Sequence, residues 1–381
     1  MALANPAQAT FLLPCLNEAK SLPGLLAHAK EVLARDGAGW KIVVADNGST
    51  DGSRELARRL GAEVVEVPSR GYGAALHAGI LAAGTEWVVY ADADGTYRPE
   101  DAVRLLEEAR VSSADLVLGS RLKGKIHTGA MPWSHRYLGT PVLSFLLRLL
   151  YGVPVTDCNS GIRCMRASSY RAWRVRSRGM EFASALLIRA AASGAKLAEV
   201  PVELLPSNGK RVPHLRTWTD GMRHLLVILA GSPSFFWHLA CLLLPLSLAL
   251  AVPCLWGPRI VLGRFGFWGE HTLVVATLLG FYGALSADLA LLLHSRGAYR
   301  RVPRPLAALL RISEGTLFWG LVGTFLVSLG GCAFVALQWS QRGYRDINFV
   351  ALILFFVYVT ITHTTLLFGL FQAQLNRRTE A

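Results

Sequence analysis

Residues 86–101 read EWVVYADADGTYRPED. An apolar run, Trp87-Val88-Val89-Tyr90, ends abruptly in Asp92-Ala93-Asp94-Gly95. A short apolar run closed by turn residues reads as a buried strand. A plain turn needs one Asp and a Gly, not Asp at i and i+2. A calcium-binding loop of the helix–loop–helix type would carry Glu at its twelfth position, but counting from Asp92 that position is Val103. Carboxylates for glycoside hydrolysis flank a bond from two elements, about 5 Å or more apart, which neighbours in one turn do not do. The remaining reading is a hard divalent cation, Mg²⁺ or Mn²⁺, held by carboxylates and completed by substrate phosphates.

Similar apolar runs at 10–16, 41–46, 63–68 and 115–120 read as further strands, joining 87–92. Helical patterns at 22–35, 53–60, 74–83 and 99–110 lie between them. Strict alternation predicts an α/β, Rossmann-like domain with a parallel sheet and helices on both faces. Ligands on such sheets sit beyond the carboxyl ends of the strands. The first strand is expected to stop at Pro14, which cannot continue a central ladder, and Glu18 follows it. The second closes at Asp46, ahead of a turn and helix start, Asn47 to Ser53. The third is followed by Gly71-x-Gly73, which lacks the third glycine and the first-strand position of a dinucleotide fingerprint. The fifth ends at Arg121, a side chain able to hold a phosphate with two parallel bonds.

Composition changes near Gly231. The 381 residues are 52% hydrophobic and 17% charged, but four long apolar stretches, 235–256, 272–293, 316–339 and 347–371, account for much of that. Each reaches the ~20 residues a membrane helix needs. This predicts a domain at 1–231 and a four-helix transmembrane domain at 232–381. The connection between the second and third stretches carries Arg296, Arg300, Arg301, Arg304 and Arg311, whereas the flanking connections carry two arginines each. Arginine-rich loops stay cytoplasmic. An integral protein of the cytoplasmic membrane, with its first domain and both termini in the cytoplasm, is expected. The formal net charge of +13 suits anionic lipid or phosphate-bearing substrates. No basic tail with interleaved aromatics points to nucleic acid. The six cysteines form no CxxC pair and read as reduced packing residues. The opening residues lack the pattern of a secretory signal.

Taken in order, PCLNE, VADNGSTDGS, DADGTYRPED, GSR, DCNSGIR, GMEFASALLIRAA, EVPVEL and LRTWTDGMRHL resemble the family 2 glycosyltransferases of the GT-A fold. Within them the chain is similar to the dolichyl-phosphate mannose synthase group, the polyprenyl-phosphate glycosyltransferases. The resemblance covers roughly residues 9–231. It implies that Pro14, Leu16, Glu18, Val44 and Asp46 contact the nucleoside of a nucleotide-diphosphate sugar. Asp92, Ala93 and Asp94 correspond to the DxD element, with Asp92 on ribose, metal or both and Asp94 on the metal. Arg121 touches donor phosphate or sugar. Ser134 and Arg136 grip the acceptor phosphate, joined by Arg211 and Arg216 in a basic loop. Asp157 lies near the transfer point. Relatives often carry Gln where this chain has Thr96, which removes one metal ligand. No QxxRW motif occurs, which argues against a processive polysaccharide synthase.

The implied reaction moves one hexose from the nucleotide sugar to a polyprenyl (dolichyl or undecaprenyl) phosphate, with inversion. Segments 137–151 and 215–231 are apolar or amphipathic but too short to span, and read as interfacial. Asp288 is expected to snorkel or pair with Arg296, and His363 to bond between helices. Two other readings remain open at this point. One keeps the fold with another lipid acceptor, such as a diacylglycerol or phosphoinositide headgroup. The other is a lipid-sugar flippase or scaffold with a regulatory first domain. Assembly into a homo-oligomer is likewise left open.

Overall fold

The computed structural model describes residues 8–207, 217–256, 260–262, 265–267, 270–295, 312–341, 343 and 357–370. The chain divides into two compact units, Met1–Ile228 and Leu229–Ala381.

The first unit is built on a seven-stranded sheet. Strands β1 (Ala9–Cys15), β2 (Trp40–Asp46), β3 (Glu63–Glu66), β4 (Trp87–Tyr90) and β5 (Leu116–Ile126) answer to the five expected from the sequence, but β5 runs past its expected end at Ser120 to Ile126, pairing there with Glu203 and Leu204, so Arg121 lies within the strand and not at its end. Two more join them, β6 (Arg163–Arg166) and β7 (Leu197–Leu204). The order is β3-β2-β1-β4-β6-β5-β7. Strands β1 to β4 are mutually parallel, but β6 runs antiparallel to both β4 and β5. The sheet is therefore mixed, not parallel throughout. The sequence RCMR has no apolar run to announce a strand, and only its neighbours β4 and β5 make it one.

Helices α1 (Leu22–Arg35), α2 (Ser53–Arg59), α3 (Tyr72–Ala82) and α4 (Pro99–Val111) fall where the helical spacing put them. Helix α1 shows why. Pro23 sits in its first turn, where a missing N–H costs nothing. Leu22, Leu25, Leu26, Ala29 and Leu33 form one buried face. All seven residues of β1 are buried, and each large apolar side chain removed from water contributes about 1.5–3 kcal/mol. Helix α3 presses on β1 at Gly79, where any Cβ would overlap Leu12. That close approach brings the N-terminus of α3 to the carboxyl end of the sheet.

Pro14 does not end β1. It pairs with Ala45, and the strand continues to Cys15. In a parallel ladder the N–H and C=O of one residue point to the same neighbour, and the side alternates along the strand. Leu12 faces β4, since its carbonyl accepts the Ala91 N–H at 3.1 Å, and Cys15 faces β2, since its carbonyl accepts the Asn47 N–H at 2.9 Å. Pro14 therefore faces β4, whose pairing with β1 has already finished at Tyr90. A proline there removes no ladder bond, and the two strands part beyond it.

Three more helices complete the unit before β7: α5 (Thr140–Tyr151), preceded by a π-helical turn at His135–Gly139, then α6 (Ala167–Trp173) and α7 (Phe182–Ala192). Helix α8 (Thr217–Ala230) follows β7. Helix α5 buries Leu143, Leu147 and Leu150 and exposes Val142, Phe145 and Leu149. Helix α8 buries His224 and Ile228 and exposes Trp218, Met222 and Leu226. Both helices are thus amphipathic with large apolar residues outward. The hydroxyl of Tyr151 donates to the Ile228 carbonyl at 2.5 Å and ties them together.

In the second unit α9 (Pro233–Ala251) with the 3-10 turn Val252–Trp256 that continues it, α10 (Glu270–Ser295) and the helix Glu314–Gln341 contain three segments long and apolar enough to cross a membrane. These are Pro233–Cys254, His271–His294 and Phe318–Gln341. A short hairpin, β8 (Ile260–Leu262) with β9 (Phe265–Phe267), lies between α9 and α10. Of the fourth expected span, the described residues form an apolar helix at Val357–Leu370. Helices α9 and α10 are antiparallel: Phe236 and Trp237 cluster with Ala290 and Leu291, whereas Ser247 donates to the Ala276 carbonyl at 2.8 Å. Helix α10 and Val357–Leu370 are parallel, because Gly280 meets Tyr358 and Thr362 while Asp288 meets Gly369. Parallel neighbours need a returning segment between them, which the helix Glu314–Gln341 supplies. Asp288 lies against Gly369; Arg296, its expected partner, lies outside the described residues, as does most of the arginine-rich connection. Among the described residues His363 bonds within its own helix and not between helices as expected. Its Nδ1 lies 3.1 Å from the Val359 carbonyl of its own helix.

Two tests follow from the first unit. Gly79→Ala forces a methyl into the packed contact with Leu12 and should lower stability by about 1–3 kcal/mol, read by urea unfolding. Burial pushes the His224 imidazole down to about 4, with Arg163 acting in the same direction; its Nδ1 lies 2.8 Å from Ser184 Oγ. The unfolded side chain titrates near 6.5. The fold therefore disfavours the proton, and this stability is complete above about 6.5 and is lost as pH falls toward 4. A His224→Asn variant should show a flatter dependence of melting temperature on pH across that window.

Candidate active site

Strand β1 lies between β2 and β4, so connections leave it on both sides and the order reverses there. Such a reversal opens a crevice at the carboxyl ends of the strands. Beyond Pro14 the chain turns at Asn17, which takes a positive φ of 60°, a conformation Asn tolerates better than most residues. Its Oδ1 accepts the Thr50 N–H at 2.8 Å, and its own N–H donates to Ser49 Oγ at 2.9 Å. The Ala19 N–H donates to Asp51 Oδ2 at 3.0 Å. The loops after β1 and β2 are thus laced into one wall. Glu18 is buried there, and its N–H donates to Ser53 Oγ at 2.8 Å. Asp46 is also buried, and accepts the N–H groups of Gly48 at 3.2 Å and Ser49 at 3.3 Å.

Ser21 joins this wall to the turn after β4. Its Oγ lies 3.0 Å from Glu18 Oε2 and 2.9 Å from the Ala93 carbonyl. Glu18 and Ala93 are therefore neighbours across the crevice. Asp92 Oδ1 accepts the Tyr72 hydroxyl at 2.9 Å, while Gly161 packs against its other oxygen so closely that a Cβ would overlap it. Asp94 Oδ1 accepts both the Thr96 N–H at 3.1 Å and the Thr96 hydroxyl at 2.7 Å. Thr96 thereby orients Asp94. Tyr97 closes the turn, accepting the Gly161 N–H at 2.8 Å. Burial pushes its phenol up to about 12, so it stays a neutral group.

Arg121 and Asp157 meet each other. Nε and Nη2 of Arg121 reach the two carboxylate oxygens at 2.7 Å each, and the Arg121 backbone N–H adds a third bond at 3.0 Å. Asp157 has no exposed surface. Burial disfavours the Arg121 charge, but the Asp157 carboxylate, by its charge and its hydrogen bonds, helps hold the guanidinium above its ordinary value. Glu199 on β7 sets the loop in place. Its carboxylate accepts the N–H groups of Thr156 at 2.7 Å and Asp157 at 3.2 Å, and pairs with Lys123 at 2.8 Å.

Ser134 and Arg136 flank and enter the π-helical turn. Arg136 is exposed and lies 5.3 Å from the Tyr137 ring centre. Between them His135 is held below its ordinary value by burial and by the charge of Arg121. Pro14 is buried and Leu16 half-buried at the end of β1. Val44 is fully buried in the apolar core. Arg211 and Arg216 lie outside the described residues.

Residues 10–174 match the family Glycosyl transferase family 2. The low-salt glycan biosynthesis hexosyltransferase Agl6 of Haloferax volcanii is 32% identical over 285 residues, 73% of this chain and 68% of that protein. This chain belongs to glycosyl transferase family 2. An undecaprenyl-phosphate mannosyltransferase of Micrococcus luteus is 33% identical over 206 residues, 50% of this chain and 81% of its own length. Among solved structures, a glucosyl-3-phosphoglycerate synthase from Mycobacterium tuberculosis, in complex with Mn²⁺, UDP and glucosyl-3-phosphoglycerate, covers 59% of this chain and 80% of its own, with 20% identity and a TM-score of 0.48.

The family motifs point to the acids and arginines of this glycosyltransferase but not to what holds them. Ser21, Tyr72, Tyr97, Gly161 and Glu199 were not among the expected site residues. Tyr97, Gly161 and Glu199 lie inside the quoted motifs DADGTYRPED, DCNSGIR and EVPVEL, but nothing in those stretches said which acid each would hold. The ion pair is the part most open to test. Removing one partner leaves a buried charge without its mate, which costs about 3–5 kcal/mol. Arg121→Met should lose stability of that order in urea unfolding, and Arg121→Met/Asp157→Leu should recover much of it.

Proposed function

We propose that this glycosyltransferase is a membrane-bound hexosyltransferase that uses a nucleotide-diphosphate sugar and a polyprenyl phosphate. One observation carries the reading: buried and half-buried acids from the ends of β1, β2 and β4 line a crevice whose far side is the Arg121–Asp157 pair. The similarity to an undecaprenyl-phosphate mannosyltransferase and the apolar helices of the second unit support a lipid acceptor.

Glu18 and Asp46 are assigned to the nucleoside, together with the backbone around Pro14, Leu16 and Ala93. Val44 acts from beneath by packing β2. Asp92 and Asp94 offer two hard oxygen donors on one turn, which suits Mg²⁺ or Mn²⁺. The glycine at 161 leaves room for the Asp92 carboxylate. Among the described residues no group of three His, Cys, Asp or Glu side chains gathers at one point, so substrate phosphates and water would complete the shell. When bound, such an ion supplies charge neutralisation for the departing nucleoside diphosphate.

The nucleophile is an acceptor phosphate oxygen, already ionised at neutral pH, so no strong general base is required. Its lone pair forms the new bond to the anomeric carbon, and the bond to the donor diphosphate breaks with its electrons going to the leaving oxygen. A single displacement inverts the centre. Two anionic substrates must approach each other, and fixed cations lower that repulsion. Arg121 offers Nη1, which takes no part in the fork with Asp157. Arg136 and Ser134 face the acceptor phosphate, joined by Arg211 and Arg216. Asp157 fixes Arg121 and balances its charge. The outward apolar residues of α5 and α8 lie in the membrane interface, where a polyprenyl chain can stay in lipid while its phosphate reaches Arg136. The first unit and both termini are assigned to the cytoplasmic side.

Purified protein with undecaprenyl phosphate and Mg²⁺ or Mn²⁺ should transfer label from one of UDP-glucose, UDP-galactose, UDP-N-acetylglucosamine or GDP-mannose into an organic extract. The label should be released by mild acid, and Asp94→Asn should lower the rate by at least about 100-fold, the upper range for losing an ion-orienting group. Folded protein that transfers from none of these donors to any lipid phosphate would sink the assignment.

A further inference from the structure

The glycine pair Gly71-x-Gly73 has no dinucleotide to serve, yet the structure gives it a clear task. At Gly71 a Cβ would overlap the Arg178 carbonyl, and at Gly73 it would crowd Ser177 and Phe182. Gly71 also takes a φ of +136°, which side-chain-bearing residues avoid. The N–H groups of Gly73 and Ala74 donate to the carbonyls of Gly179 at 3.2 Å and Arg178 at 3.0 Å. From the other side, Asn47 Oδ1 accepts the Gly71 N–H at 2.7 Å, and Asn47 Nδ2 donates to the Ser69 carbonyl at 2.7 Å. The backbone of Tyr72 is therefore clamped on both flanks, in a half-buried place at the first turn of α3. Its hydroxyl is aimed at Asp92 Oδ1, 2.9 Å away.

We propose that Tyr72 is the positioning residue for Asp92, fixing its carboxylate in the orientation that accepts a divalent cation. The clamp sets the ring, the hydroxyl sets one carboxylate oxygen, and Gly161 leaves the space the carboxylate needs. The choice of donor matters. Asp157 is held by a charged guanidinium, whereas the Tyr72 hydroxyl is a neutral donor to Asp92. Outer partners of metal-ligating carboxylates fix their geometry in the same manner. The inference rests on the reading of Asp92 as a metal ligand.

The test measures Mn²⁺ directly, on the full chain in detergent, by the loss of the free-ion electron paramagnetic resonance signal. Mn²⁺ is titrated alone and with UDP or GDP. Tyr72→Phe keeps the ring and deletes the hydroxyl. It should bind Mn²⁺ about 10- to 100-fold more weakly with an unchanged melting temperature, and Asp92→Asn should lose binding more severely. In transfer assays, raising Mn²⁺ should restore the Tyr72→Phe rate, a rescue that a packing defect would not show. If Tyr72→Phe binds Mn²⁺ like the parent while Asp92→Asn does not, the positioning role is overturned and the metal reading stands. If Asp92→Asn binds like the parent, the metal reading of Asp92 falls first and takes this inference with it.

Discussion

A carboxylate taken out of water must be given donors, and this requirement organises the whole catalytic unit. Glu18, Asp46 and Asp157 are buried, and Glu199 keeps only 3% of its side chain exposed. An ionised group in such surroundings is costly unless hydrogen bonds or a countercharge offset the loss of solvent. The donors come from every neighbouring element: backbone N–H groups after β2 for Asp46, the Arg121 fork for Asp157, and Thr156, Asp157 and Lys123 for Glu199. Because each acid recruits donors from a different segment, satisfying them all fixes the loops relative to one another.

The arrangement also sorts the acids by charge. The buried Arg121–Asp157 pair is neutral as a unit and stiffens the loop that carries Gly161 toward Asp92. Asp92 and Asp94 are held by hydroxyls, from Tyr72 and Thr96. A hydroxyl donor orients a carboxylate without itself bringing a charge. This division follows from donor chemistry and not from the acids themselves, which are all Asp.

The second unit obeys a different solvent. Its helices pack where side chains are small, at Gly280, Gly283 and Gly369, and a buried hydroxyl bonds from helix to helix, as Ser247 does to Ala276 and Tyr358. Small residues allow close helix approach in lipid, where burying apolar surface offers little gain. The parallel course of α10 and Val357–Leu370 fits a chain that crosses, returns and crosses again.

Much of this was legible in the sequence. Apolar period and turn residues located five strands and four helices of the first unit within a few residues, because those signals are local. Long apolar runs located the spans, because length alone decides whether a helix can bridge a bilayer. The acids at the strand ends were found for a similar reason: a charge where an apolar run stops is visible in one dimension. Tertiary structure decided the rest. Strand β6, with two arginines in four residues, is a strand only because β4 and β5 sit on either side of it. Pro14 stays in a ladder only because β4 has ended. The same geometry put Arg121 on Asp157, Thr96 on Asp94 and Tyr72 on Asp92. Such pairings join residues 2 to 36 positions apart along the chain, and no local pattern encodes which donor a buried acid will meet.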